Sequence, residues 1–289
     1  MAMAKIIDGK KIAEELLKSV RADAEKLNAE GTKPCLAVII AGENPASKVY
    51  VRNKKLTCER VGIRSLEFAL PEETTQAELL ALVEKLNNDP SVHGILCQHP
   101  LPGHLDERKV FDAISPSKDV DAFHPITVGR VVIGNAALLP CTPAGVMEML
   151  RHEGISVPGK RCVVIGRSNI VGKPMALMLL AADGTVTVCH SKTVNLKELT
   201  LQADILVCAA GIRGLVTADM IKPGAAVIDV SINRDGEGKL CGDVDFNAAL
   251  NVAGAITPVP GGVGPMTIAM LMRNTILSCK LQVTGCNLG

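Results

Sequence analysis

Tryptophan is absent, and one tyrosine and four phenylalanines are the only aromatic rings of the hydrocarbon kind among 289 residues. So few rings leave little to stack on nucleobases, and 31 basic against 30 acidic residues give a net charge of only +1. Both shortages argue against a nucleic-acid partner. No apolar run approaches the roughly 20 residues that span a bilayer; the longest, Met175 to Ala182, is far shorter, so no membrane association is expected. The ten cysteines (35, 58, 97, 141, 162, 189, 208, 241, 279 and 286) include no CxxC pair and no grouping with histidines, so no metal site is expected. The first residues, Met1 to Asp8, lack the apolar core of a secretory signal. Scattered thiols in apolar runs such as Ile205–Ala209 suit a reducing compartment, and a cytoplasmic location is the expectation.

What is present is an ordinary globular composition, 47% hydrophobic and 21% charged, long enough for roughly two domains. Helix and strand periods alternate. Ile12, Leu16, Leu17, Val20 and Leu27 share a helical face that stops at Gly31, and Leu36–Ile40 reads as a strand buried on both faces. A helix ending near Gly62, a strand at 63–70, a helix from Thr75 to Asn87 opening on a capping box with Glu78, and a strand at 94–98 follow. Residues 99–145 carry six prolines and read as loops at a junction. Beyond it come a helix at 144–152, strands at 161–166, 185–190, 204–209 and 225–230, helices at 173–182 and 196–202, and a last helix at 266–281. Such alternation predicts an α/β fold of two domains, each with a mainly parallel sheet.

The strand Arg161–Ile165 runs into Gly166-Arg167-Ser168-Asn169-Ile170-Val171-Gly172-Lys173-Pro174. Strand, glycine turn and helix in this order point backbone N–H groups at a pyrophosphate, although GxSxxxG replaces the usual GxGxxG and the same turn serves an ordinary βα connection. The next strand ends in Cys189-His190-Ser191-Lys192, with no acid to hold a ribose 2′-hydroxyl. Arg167, Ser191, Lys192 and His190 instead suit a 2′-phosphate, which favours NADP over NAD. Farther upstream, Tyr50 and Lys54 stand four apart on one helical face; this spacing fits an aromatic plate beside a proton-transferring amine, although by itself it more often marks a surface pair.

Six motifs, in order along nearly the whole chain, add a resemblance. They are Tyr50-Val51-Arg52-Asn53-Lys54, Gln98-His99-Pro100-Leu101-Pro102, Pro116 to Asp121, Pro140-Cys141-Thr142-Pro143, Gly166 to Pro174, and Thr257 to Thr267. The chain resembles the bifunctional methylenetetrahydrofolate dehydrogenase/methenyltetrahydrofolate cyclohydrolase family. The resemblance implies NADP-dependent oxidation of 5,10-methylenetetrahydrofolate and hydrolysis of the methenyl product to 10-formyltetrahydrofolate, within one-carbon metabolism that feeds purine biosynthesis. A relative with the dehydrogenase step alone is the alternative. It implies a folate-binding catalytic domain over 1–140, a Rossmann-like NADP domain over 141–264, and a C-terminal helix (265–289) packing back on the first. It implies Lys54, Gln98, Asp121 and Tyr50 as catalytic residues. The folate substrate, polyglutamylated forms included, would also meet Val51, Arg52, Asn53, Cys97, His99, Pro260, Gly261, Gly262, Val263 and Gly264. The cofactor would meet Gly166, Arg167, Ser168, Ile170, Gly172, His190, Ser191 and Ile232. A homodimer is implied too, with exposed strand edges expected near Leu215–Val216 and Ile228–Val230. The family pattern has Leu at the position of His99, Gly at that of Ala122 and Asn at that of Thr127, so these three residues depart from it.

Overall fold

The computed structural model describes residues 3–285; the expectations for Cys286 and the end of the 265–289 segment lie outside the described residues. The chain divides into two compact units, Met1–Glu14 with Thr142–Thr267, and Glu15–Cys141 with Ile268–Gly289.

A short strand, β1 (Lys5–Ile6), precedes α1 (Gly9–Ala29), whose Ile12, Ala13, Leu17, Val20, Ala24 and Leu27 are buried at helical spacing. Then come β2 (Cys35–Ala41), α2 (Pro45–Val61), β3 (Arg64–Leu70), α3 (Gln76–Asn88) and β4 (Gly94–Cys97). Every residue of β2 is buried, as a central strand covered on both faces requires. It pairs in parallel with β3 on one side and β4 on the other. The capping box at α3 is present in both halves, Thr75 accepting from the Glu78 amide and Glu78 from the Thr75 amide, an arrangement worth about 1 kcal/mol.

The proline-rich stretch holds two helices where the sequence pattern predicts loops. In α4 (Glu107–Ala113) the Asp106 carboxylate caps the first turn, and in α5 (Pro125–Ile133) Pro125 occupies the first turn, where a missing N–H costs nothing. Proline here starts a helix. Next is α6 (Cys141–His152).

The remaining elements are β5 (Arg161–Ile165), α7 (Gly172–Ala181), β6 (Thr185–Cys189), α8 (Leu196–Thr200), β7 (Ile205–Cys208), β8 (Ala226–Asp229), β9 (Asn233–Arg234), β10 (Leu240–Cys241), α9 (Phe246–Ala249), β11 (Ala255–Ile256) and α10 (Val263–Val283). Six strands form a parallel sheet in the order β1-β11-β8-β7-β5-β6. This is why the first fourteen residues group with the later part of the chain and not, as the 1–140 boundary had it, with the earlier: β1 pairs with β11, Lys5 opposite Ala255. Two-residue strands carry no readable period. The edges expected at Leu215–Val216 and Ile228–Val230 are also closed, because β8 lies between β11 and β7 and Val216 bridges to Val244. An open flank is β6, with Val188 39% exposed.

As expected, α10 returns to the earlier part of the chain. The Asn274 amide donates to Val120 O and Leu139 O, both at 2.8 Å, and Ser278 Oγ donates to His93 O and Ser117 O, both at 2.6 Å.

Candidate active site

In the unit containing β2, helical geometry sorts the residues of α2. Val51, Lys54 and Cys58 face inward and are buried, Tyr50 is half-buried, and Arg52 and Asn53 stand on the exposed side. Gln98 follows the last residue of β4, held by its N–H to Ile39 O at 2.8 Å. Its side chain meets Lys54: Lys54 Nζ donates to Gln98 Oε1 at 2.9 Å, while Gln98 Nε2 donates to His99 O at 2.8 Å. The second bond sets the amide so that its oxygen faces the lysine. Lys54 is only 7% exposed. Burial pushes its amine below the ordinary lysine value, against the opposing pull of the Asp121 carboxylate and of the Cys141 and Cys58 thiols.

Asp121 keeps part of its surface open, yet the surrounding protein atoms push its carboxyl upward, with Lys54, His99 and a hydrogen bond from Cys141 working the other way. Lys118, three residues before Asp121, directs its amine elsewhere: its Nζ donates to Leu86 O at 3.0 Å and Asp89 O at 2.6 Å. His99 half-emerges and meets Phe123 edge to face at 6.3 Å. Cys97 points into the apolar core with Ile39 and Ile95, and burial raises its thiol to about 12, so it packs as a hydrophobe.

Three supports have no role assigned by the sequence, although Asp119 and Cys141 fall within two of the motifs above. Asp119, at 3% exposure, accepts the Phe123 and His124 amides at 3.2 and 2.8 Å. Burial raises its carboxyl to about 6. Cys141 Sγ donates to Val120 O at 3.3 Å, and Asn274, a lone amide in the apolar run of α10, spans Val120 and Leu139. Ala122 adopts φ +61°, the left-handed conformation for which glycine carries no penalty.

In the other unit, Gly166 follows β5 and Ala209 follows β7, the two strands between which the chain reverses its direction across the sheet. Such a reversal is where open parallel sheets bind ligands. A Cβ on Gly166 would collide with Ala209 O, and one on Gly172 would collide with Gly166 O. The turn is therefore closed tightly enough that only glycine fits. Ser168 Oγ accepts the N–H groups of Val171 and Gly172, each at 3.2 Å, so its oxygen caps α7 while its hydroxyl hydrogen stays free to donate. Arg167, Ser191 and Lys192 are exposed, Ile170 and His190 half-buried, and Ile232 is exposed. The His190 ring accepts the Lys192 N–H at 3.2 Å, which folds the turn after β6. No acid stands there, and the cationic, glycine-floored cleft fits a dinucleotide carrying an extra phosphate. Pro260, Gly261, Gly262, Val263 and Gly264 belong to this unit too, on the loop where α10 begins, with Lys10 N–H donating to Gly261 O at 3.2 Å. Among the described residues no group of His, Cys, Asp or Glu is arranged to hold a metal ion.

Known proteins match both parts of the chain. Residues 7–121 match the family model for the tetrahydrofolate dehydrogenase/cyclohydrolase catalytic domain, and residues 140–283 that for its NAD(P)-binding domain. The bifunctional protein FolD of Acetivibrio thermocellus is 58% identical over 279 residues, 96% of this chain and 98% of its own length. Among solved structures, the bifunctional FolD dehydrogenase/cyclohydrolase of Campylobacter jejuni is 50% identical with a TM-score of 0.94, covering 96% of this chain and 99% of the other. The dehydrogenase-cyclohydrolase of Trypanosoma brucei, solved with NADP cofactor and inhibitor, is 41% identical with a TM-score of 0.94, covering 98% and 99%.

Proposed function

The chain belongs to the tetrahydrofolate dehydrogenase/cyclohydrolase family, and on that premise we propose that it oxidises 5,10-methylenetetrahydrofolate with NADP and hydrolyses the methenyl product to 10-formyltetrahydrofolate. The observation that carries this reading is the buried Lys54 amine bonded to Gln98. A dehydrogenase alone has no use for a desolvated amine, whereas hydrolysis of a methenyl cation needs a group that takes a proton from water.

Bound NADP would supply the hydride acceptor, held by the turn Gly166–Gly172 with Arg167, Ser191 and His190 beside its phosphates and Ile232 against its body. Lys54 is the proton-transferring group. Its burial favours the neutral amine, a cationic substrate disfavours the ammonium further, and Gln98 aims the nitrogen. Attack of water on the methenyl carbon then forms the C–O bond as Lys54 removes the water proton and the C=N π pair passes to N5. The adduct's hydroxyl proton next moves to N5 as the C–N5 bond breaks, which leaves the formyl group on N10 and one proton for Lys54 to release to solvent. Tyr50, half-buried one turn before Lys54, offers a ring face to the pterin. Asp121 grips the pterin's amide edge, with its raised carboxyl tuned by Lys54 and His99.

The partners follow the same reading. The exposed flank of β6, with Val188 and the neighbouring Leu180 of α7 (59% exposed), offers apolar surface and free backbone groups for a homodimer. Light scattering should give about twice the chain's 30.4 kDa; a single-chain mass at all concentrations would refute the dimer. Nine described cysteines are free thiols, which fits a reducing cytoplasm. The activity is tested by following NADPH formation from 5,10-methylenetetrahydrofolate, with NAD in parallel, and the decay of methenyltetrahydrofolate absorbance. Neither signal appearing would overturn the proposal.

A further inference from the structure

Beyond the cleft itself, the unit with the six-stranded sheet buries two carboxylates beneath it, neither with a role in the reaction above. Asp243 is fully buried. One of its oxygens, Oδ2, accepts the Ala210 N–H at 2.7 Å, the Gly211 N–H at 3.2 Å and the Ser231 hydroxyl at 2.7 Å. The other, Oδ1, accepts the Ile212 N–H at 2.7 Å and the Asn233 amide at 3.0 Å. Three successive amides thus close around one anion, and two side chains from a second loop join them. Those loops follow β7 and β8, at the strand ends that face a ligand in sheets of this kind. The first is the one whose Ala209 carbonyl touches the Gly166 turn, and the second carries Ile232.

Asp243 is itself anchored from below. Its N–H donates to Asp229 Oδ1 at 3.1 Å, Val244 N–H to Asp229 Oδ2 at 2.8 Å, and Ser231 N–H to Asp229 Oδ1 at 3.2 Å. Asp229 comes so close that a Cβ on Gly242 would collide with its carboxyl group. The chain from 242 to 244 therefore has one position available to it, and Asp243 points from there into the two loops.

We propose that Asp243 is a positioning residue for the dinucleotide cleft, its carboxylate clamping the Ala210–Ile212 and Ser231–Asn233 loops together so that they wall the cofactor against the Gly166 turn. This rests on the reading of that cleft as the NADP site. An amide in place of the carboxylate can accept on one side only; its NH2 would face donors on the other, leaving at least two of them without an acceptor. The bifunctional reaction supplies an internal control, because methenyl hydrolysis is assayed without any dinucleotide.

In the full-length Asp243→Asn protein, the KM for NADP should rise by about tenfold or more while hydrolysis of added methenyltetrahydrofolate stays within about twofold of the wild type. Ser231→Ala removes one donor to Asp243 and also the acceptor of the Gly211 N–H at 3.1 Å; it should raise the same KM by a few-fold in the wild-type background and by less in the Asp243→Asn background. If Asp243→Asn does not fold, Ser231→Ala and Asn233→Ala carry the test, each expected to raise the KM for NADP and leave hydrolysis intact. An unchanged KM in the folded variants, or an equal fall of both activities, overturns the proposal. A wild-type chain without NADP-dependent activity would overturn the proposed function and this inference with it; an active wild type beside unaffected variants overturns the inference alone.

Discussion

Around Lys54 the ionisable groups are buried or half-buried and their proton affinities displaced: the amine downward, Asp119 and Asp121 upward, each chiefly by loss of water. Around Gly166 the cations Arg167 and Lys192 stand in solvent, and the surface beneath them is backbone, closed by glycines and a serine cap. One region changes the chemistry of its side chains by removing water; the other offers shape and leaves its charges hydrated. The contrast follows from the two tasks. Proton transfer at neutral pH requires a lysine far from its unperturbed pKa of about 10.4, whereas holding a phosphate requires only that donors and cations be in place.

Substitutions test that contrast by differing in size and kind of effect. Lys54→Met should reduce methenyl hydrolysis by roughly 100- to 10,000-fold while hydride transfer persists in part, so methenyltetrahydrofolate accumulates and is read by its absorbance. Undiminished hydrolysis would remove Lys54 from the mechanism; loss of both steps in a folded variant would make it a binding residue.

Buried carboxyls give the next effect. Asp119 and Asp229 both titrate at about 6 in the folded chain because burial disfavours their charge, against about 3.9 when unfolded. Between these values the native state holds protons that the unfolded chain has released. Each group's contribution is therefore full below about pH 4 and is lost as pH rises through 6, by about 3 kcal/mol per group. Denaturant melts of wild type and Asp119→Asn at pH 4 and pH 7 should show the variant gaining relative stability by about that amount at the higher pH. A difference that does not vary with pH would contradict the raised carboxyl.

Arg167→Ala should raise the KM for NADP by about tenfold, near 1.4 kcal/mol, and leave that for NAD almost unchanged. Equal damage to both would make Arg167 a general phosphate contact. The smallest effect is expected at Ala122, whose φ of +61° favours glycine. Ala122→Gly should relieve about 1 kcal/mol of backbone strain, offset in part by the greater freedom of glycine in the unfolded chain, for a net rise in stability of a few tenths of a kcal/mol. A lower melting temperature would show that the strain is absent.

The long elements and the glycine turn were readable because their signals are local. A helical face such as that of α1, a fully apolar strand such as β2 and the Thr75–Glu78 capping box each depend on neighbours a few residues away. The missing acid after β6 was equally visible, and so, through resemblance, were Lys54, Gln98 and Asp121. Helix α5 hides behind Pro125, because proline reads as a breaker until its neighbours show that it stands in a first turn, and α4, seven residues with no proline of its own, is too short to show a helical period.

Residue pairings far apart along the chain had no such local sign. Nothing near Lys5 announces Ala255, and nothing near Asn274 announces the Val120 carbonyl that its amide reaches across 154 positions. The same holds for burial, which sets the Lys54 amine below the ordinary lysine value and surrounds Asp243, one acid among thirty, with five donors. Local periodicity is written into adjacent residues by backbone geometry; desolvation and long-range hydrogen bonds come into being only when the folded chain brings distant segments together and expels the water between them.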